Sequence, residues 1–257
     1  MEVNFPERIV PDTALRFDYI DHLARYDYIK LHIGDKDVLD CGCGNGYGSF
    51  DLASLARSVN GIDYANEAIQ YAKSHYNKSN LEYTCMDSQD LAFPSSLFDI
   101  ICSFDVIEHV PSPSRYLREI SRVLRPNGIA FISTPNRRIS SPGLSLPLNP
   151  FHLKEYDLHE FNEMLSGFFL KVEILGEFED HTLQNMKAHT SRLRTIWRLT
   201  DSLNLRDHIP INLRQRLLSS VVKILSGVSL DTITEKNVLF KRDNIETAST
   251  FFAICER

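Results

Sequence analysis

Short apolar runs recur along the chain between stretches whose apolar positions fall three and four apart. The first period suits strands buried on both faces and the second suits helices packed on one side. Asp37 to Cys41 (DVLDC) reads as a buried strand, followed by a glycine-rich turn and a helix through Leu52, Leu55 and Ala56. Val59 to Asp63 predicts a second strand, Ala65 to Tyr76 a helix and Leu81 to Thr84 a short third strand. Phe98 to Phe104 predicts a fourth strand, Pro113 to Leu124 a helix and Gly128 to Ser133 a fifth strand. A sixth strand is expected over Phe168 to Phe178 and a seventh over Ser249 to Cys255. Strands alternating with helices argue for an α/β, doubly wound sheet joined by right-handed crossovers.

Three segments break the rhythm. Residues 1–35 hold a helix rich in Tyr and charge, expected as an N-terminal cap. Residues 134–157 carry Pro, Ser and Asn and read as a long ordered loop. Residues 181–245 carry helical patterns and read as an insertion between strands six and seven. The sheet domain is therefore expected over 36–180 and 246–257. At 257 residues the chain holds one sizeable core plus appendages.

Chemistry concentrates in VLDCGCGNGYG, residues 38–48, where Gly42, Gly44, Gly46 and Gly48 alternate. Glycine permits positive φ and lets a ligand approach the backbone. A glycine loop between strand and helix is the nucleotide site of open α/β sheets. The spacing is not GxGxxG, because Tyr47 and Ser49 stand where its third glycine belongs. Asp40, just before the loop, repels a pyrophosphate and attracts an ammonium. Asp63, closing the second strand, can accept both hydroxyls of a ribose. The site therefore calls for a nucleoside with a positive tail and no phosphate, which S-adenosylmethionine (SAM) satisfies and NAD does not.

Together with GIDYANEAIQYAK (61–73), CMDSQDLAFPSSLFDIICSFDVIEHV (85–110) and VLRPNGIAFISTPN (123–136), this loop resembles the class I SAM-dependent methyltransferases. The resemblance implies seven strands in the order 3-2-1-4-5-7-6, the last antiparallel, with SAM as cofactor and S-adenosylhomocysteine as product. It implies that Asp40, Gly42, Cys43, Gly44, Asn45 and Gly46 cradle the methionine moiety. Asp63 is expected on the ribose, Tyr64, Met86, Asp87 and Ser88 around the adenine, and Phe104 and Asp105 near the methyl group. HLARY (22–26), GYGS (46–49) and NPFHLKEYDLHEF (149–161) resemble a bacterial subgroup associated with cell-surface glycans, and more distantly the quinone methyltransferases. There the N-terminal helix implies Arg25 on the SAM carboxylate and Tyr19 and Tyr26 around the sulfonium.

Methyl transfer to a hydroxyl needs help with the departing proton. His109, in DVIEHV, and His152, in NPFH, both follow strand ends and are the candidate bases. Asp105, Glu108 and His109 are too close in sequence to bind a metal well, so none is expected. The amine-methylating Asn-Pro-Pro-aromatic motif is absent after strand four. A hydroxyl of a small molecule or glycan is therefore the expected acceptor, with N- or C-methylation or a non-catalytic SAM-binding scaffold as alternatives.

Residues 186–226 hold eight Lys and Arg against two Asp and an amphipathic pattern from Leu213 to Leu225. This suits a lid over an anionic acceptor, and such a helix can also rest on an anionic membrane. The overall charge of −6 argues against nucleic acid as partner. Five cysteines without zinc-site spacing, an acidic N-terminus and the lack of a long apolar run point to a reduced, cytoplasmic setting. Nothing in the sequence fixes the oligomeric state.

Overall fold

A computed structural model describes residues 19–188 and 232–257. The chain divides into two compact units, Arg25–Phe178 with Phe240–Arg257, and Met1–Ala24 with Glu179–Leu239.

The larger unit carries the sheet. Its strands are β1 (Asp37–Cys41), β2 (Ser58–Asp63), β3 (Leu81–Cys85), β4 (Phe98–Phe104), β5 (Leu124–Pro135), β6 (Lys171–Glu179), β7 (Val238–Lys241) and β8 (Thr250–Glu256). Their order is β3-β2-β1-β4-β5-β8-β6-β7. The first five run parallel, while β8 is antiparallel to both β5 and β6. The seven expected strands thus take the expected order, with β8 as the seventh. The eighth, β7, lies within the 181–245 segment and is not among the expected strands. It holds only four residues, too short for periodicity to reveal.

Side-chain parity builds the core. Val38, Ile100, Phe131 and Phe252 face one side of the sheet, and Leu39, Ile101, Ile132 and Phe251 the other. The first face is covered by the last turn of α1 (Ile20–Ile29), through Tyr26 and Ile29, and by α2 (Tyr47–Leu52), through Leu52. The second is covered by α4 (Pro113–Val123) and α6 (Leu158–Ser166). In α4, Pro113 sits in the first turn, where its missing N–H costs nothing. Tyr116, Leu117, Ile120 and Val123 then form the buried stripe, each worth about 2 kcal/mol of burial. In α6, Asp157 and Glu160 close a capping box. Between the strands, α3 (Asn66–His75) packs Ile69 and Ala72 against Tyr83.

The helix after the glycine loop is shorter than expected. It stops at Leu52, and Leu55 lies half exposed in the turn beyond. The loop of 134–157 contains a single helical turn, α5 (Arg137–Ser140), capped by the Asn136 side chain.

In the smaller unit, Lys187 is held by Asp21 at 2.5 Å and Glu179 at 2.6 Å. Of the eight basic residues counted in 186–226, only Lys187 is described, and its charge is already balanced. The other seven, from Arg192 to Lys223, lie outside the described residues. No described helix is long and apolar enough to cross a membrane. All five cysteines are free thiols.

Candidate active site

The glycine loop runs from the carboxyl end of β1 into α2. Gly42, Gly44 and Gly46 all have positive φ, at 87°, 54° and 85°. The reasons for glycine differ. A Cβ on Gly42 would lie 2.3 Å from Val106, and one on Gly46 would lie 2.6 Å from Ala72 and 2.8 Å from Tyr83. A Cβ on Gly44 would meet no atom within 4 Å. Gly42 and Gly46 are thus required by packing, and Gly44 only by backbone conformation and by whatever approaches the loop.

Asp63 fastens this loop to β2. Its Oδ2 accepts from the Gly44 amide at 3.0 Å and its Oδ1 from the Ala65 amide at 2.8 Å. A carboxylate can accept more than one hydrogen bond per oxygen, which suits a role on ribose hydroxyls. Tyr64 beside it is exposed, while Met86, Asp87 and Ser88 are half-buried after β3. Asp87 Oδ1 accepts from the Gln89 amide at 2.9 Å, which fixes the turn. Cys43 and Asn45 are buried within the loop.

Asp40, expected to cradle the methionine moiety, is surrounded by donors of the protein itself. It is only 1% exposed and lies beneath the loop. Ser49 Oγ donates to it at 2.6 Å, Cys102 Sγ at 3.4 Å, and the Tyr26 hydroxyl stands 3.2 Å from both carboxylate oxygens. Burial raises its pKa to about 6 despite these donors. Tyr26, expected around the sulfonium, is packed within the protein. Its ring lies where a Gly48 Cβ would be, 2.1 Å away, and packs edge-on to Phe104 at 5.2 Å. Phe104 is itself buried in that cluster. Gly48 is therefore the seat of the N-terminal helix. Tyr19 immediately precedes the helix.

Arg25 is also committed within the protein. Its Nε donates to Glu177 Oε2 at 2.7 Å and its Nη1 to Asp105 Oδ2 at 2.6 Å. The guanidinium, expected on the SAM carboxylate, is buried within this triad. Asp105 is further held by Ser133 Oγ, donating to Oδ1 at 2.9 Å, and takes a left-handed φ of 54°. Its backbone leaves β4 through a strained position that the triad and Ser133 stabilise. Glu177 escaped sequence reasoning, although an acid two residues from buried Leu175 in β6 shares its apolar parity, which is a readable signal.

The two candidate bases come together. His109 and His152 have ring centroids 4.9 Å apart, edge to face. His109 Nδ1 lies 3.0 Å from the Phe151 carbonyl, an acceptor only, so Nδ1 carries the proton. His152 Nδ1 lies 2.7 Å from Glu155 Oε1. Its Nε2 lies 2.9 Å from Asn149 Nδ2, whose own Oδ1 accepts from the Phe151 amide. The asparagine therefore donates and His152 Nε2 accepts. The loop is tied to the turn after β4 because the Leu153 and Lys154 amides donate to the Glu108 carbonyl. The Glu108 side chain is fully buried. Thr134 donates to its Oε2 at 3.1 Å, and burial, then the nearby Asp105 charge, push its pKa well up.

Residues 39–132 match the methyltransferase domain model. Over 184 residues the chain is 34% identical to a probable SAM-dependent methyltransferase of Mycolicibacterium smegmatis, covering 71% of each chain. It is 35% identical to a probable SAM-dependent methyltransferase of Mycobacterium tuberculosis, over 71% of this chain and 66% of the relative, just short of two thirds of that protein. A ubiquinone biosynthesis O-methyltransferase of Coxiella burnetii is 36% identical over 122 residues, 46% of this chain and 52% of that one. Among solved structures, a SAM-dependent methyltransferase of Thermotoga maritima, possibly a histamine N-methyltransferase, superposes with a TM-score of 0.58 at 11% identity, covering 93% of this chain and 91% of its own. The chain belongs to the class I SAM-dependent methyltransferases. SAM is the cofactor of that family.

Proposed function

We propose that this protein transfers the methyl group of SAM to a hydroxyl of a small molecule or glycan that carries an apolar portion. The observation that carries this reading is the His109–His152 pair at the carboxyl edge of β4 and β5, next to the cofactor loop in strand order. In the reaction an acceptor oxygen lone pair attacks the methyl carbon, and the carbon–sulfur electrons pass to sulfur. The O–H proton must leave as the new bond forms, and an imidazole beside the acceptor promotes that step. The O-methyltransferase name of the Coxiella relative supports a hydroxyl acceptor.

The loop that carries His152 exposes Leu144, Leu146, Leu148, Phe151 and Leu153. Such a run of apolar side chains suits a lipid-linked acceptor. The basic stretch 186–226 is the segment we assign to any anionic group on that acceptor or to an anionic membrane surface.

The test is incubation of the protein and isotope-labelled SAM with a fractionated extract of its host, followed by mass and NMR analysis of the labelled product. An O-methyl ether on an apolar, hydroxyl-bearing molecule is expected. Methyl on nitrogen or carbon, or no acceptor in any fraction, refutes the reading. His109→Ala is expected to lower kcat by roughly 10²–10⁴-fold while leaving SAM affinity unchanged.

A further inference from the structure

We propose that Glu108, His109 and His152 form a binding site for a divalent transition-metal cation, with Zn²⁺ as the best chemical match. The inference deepens the hydroxyl-transfer reading by supplying the device that activates the acceptor oxygen.

One ligand atom from each of the three residues lies within 4.8 Å of the others. The set comprises two imidazoles and one carboxylate, the composition of three-ligand zinc sites that keep a position open for substrate. Tetrahedral ligands about 2.1 Å from a metal stand roughly 3.4 Å apart. Closure therefore asks for a contraction of about 1.4 Å, within reach of side-chain torsions.

The surroundings already have the form that a metal site needs. Metal-binding histidines give their other ring N–H to a carboxylate or carbonyl, which fixes the tautomer and points the basic nitrogen at the ion. Both histidines do this here. His152 Nδ1 faces Glu155 at 2.7 Å, and His109 Nδ1 faces the Phe151 carbonyl at 3.0 Å. Each ring thus carries its lone pair on Nε2. At His152 that lone pair receives a proton donor from Asn149, in the place a Lewis acid would take. Glu155 is in turn held by Ser140 Oγ at 2.6 Å, so the supporting acid is itself oriented. Glu108 contributes an independent sign. It is fully buried, and its Oε1 has no hydrogen-bond partner among the described residues. Leaving a buried carboxylate oxygen unsatisfied is costly, and such atoms call for an explanation. A cation held by this carboxylate and the two imidazoles supplies one.

A metal here would do definite work. An acceptor hydroxyl bound at the open position would lose its proton to solvent at a far lower pH than a free alcohol. The metal-bound oxygen would then attack the SAM methyl carbon, and sulfur would take the carbon–sulfur bonding pair. The histidines would orient this process as ligands rather than as bases.

The test needs no acceptor. The full-length protein is stripped with chelator and titrated with Zn²⁺ by calorimetry, and with Co²⁺ by visible spectroscopy. Wild type is expected to bind one equivalent of either ion and to give the d–d absorption of a four- or five-coordinate Co²⁺ site. His109→Ala and His152→Ala are expected to weaken binding by at least 100-fold while keeping the thermal transition and SAM affinity of wild type. Glu108→Gln is read only if it folds. No binding by wild type, or equal binding by both histidine variants, overturns the proposal. The second result would place the ion on the free thiols or elsewhere. Metal binding with no O-methyl product would instead count against the acceptor reading alone.

Discussion

Replacing Gly44 and Gly46 with Ala separates what the glycine loop does for the fold from what it does for the cofactor. Both residues have positive φ, so either alanine costs about 1–2 kcal/mol of backbone strain. At Gly44 that is the whole structural cost, because the added methyl meets no protein atom within 4 Å. At Gly46 the methyl would lie 2.6 Å from Ala72 Cβ and 2.8 Å from the Tyr83 ring and hydroxyl. Overpacking of that kind adds about 1–3 kcal/mol. The Tyr83 hydroxyl also donates to the Gly46 carbonyl at 2.7 Å, so the ring cannot withdraw without losing that bond. For a chain of this size 1 kcal/mol moves Tm by roughly 2–4 °C. Gly44→Ala should therefore lower Tm by roughly 2–8 °C, and Gly46→Ala by about twice as much. Binding should rank them differently. A methyl on Gly44 enters the space over the loop, and we expect it to weaken SAM and S-adenosylhomocysteine by at least 10-fold, about 1.4 kcal/mol. Scanning calorimetry and isothermal titration measure the two quantities. Wild-type cofactor affinity in Gly44→Ala would refute the assignment of this loop as the cofactor cradle.

Arg25→Met leaves Glu177 and Asp105 without their shared cation, and Glu177 is buried. A loss of about 3–5 kcal/mol is expected, largely recovered when Glu177→Leu is added; a double variant no more stable than the single would sink the triad as a structural unit. Asp40 offers a pH test. Its folded pKa of about 6 stands above the ordinary 3.8, so the native state holds this proton more tightly. Its contribution is therefore full below about pH 4 and lost as pH rises through 6, amounting to about 3 kcal/mol. Denaturant titrations of ligand-free protein at several pH values should show this slope in wild type and not in Asp40→Asn; parallel curves would count against it.

The parts of the site that were legible in the sequence are those whose cause is local. Positive φ in a strand-to-helix turn demands glycine, so the loop announced itself, as did Asp63 at a strand end. The sheet order followed from the resemblance, with hydrophobic periodicity supplying all strands but β7. What stayed hidden depends on parity and distance. Arg25 and Glu177 are 152 positions apart and meet because both project onto one face of the folded sheet. Asp40 reads as a ligand carboxylate in one dimension, and only the docking of Tyr26 onto Gly48 shows it to be covered. Likewise His109 and Phe151 are 42 positions apart. Sequence spacing ranked Asp105 as the third member of any metal cluster, whereas the fold brings His152 to Glu108 and His109.

The charge balance of the larger unit suits a cationic cofactor. Among the described residues five acidic side chains are buried, Asp40, Asp63, Glu108, Glu155 and Glu177, with burial favouring the neutral form of Glu108, against the single buried guanidinium of Arg25. Asp105, half-buried at the end of β4, adds to the excess. Fields inside such a site are weakly screened, so a pyrophosphate coenzyme would be repelled where a sulfonium is attracted. Transfer of the methyl group converts the sulfonium into a neutral thioether, and that attraction then disappears. A divalent cation at Glu108, His109 and His152 would offset part of the excess on the acceptor side, which leaves the negative field strongest beside the glycine loop.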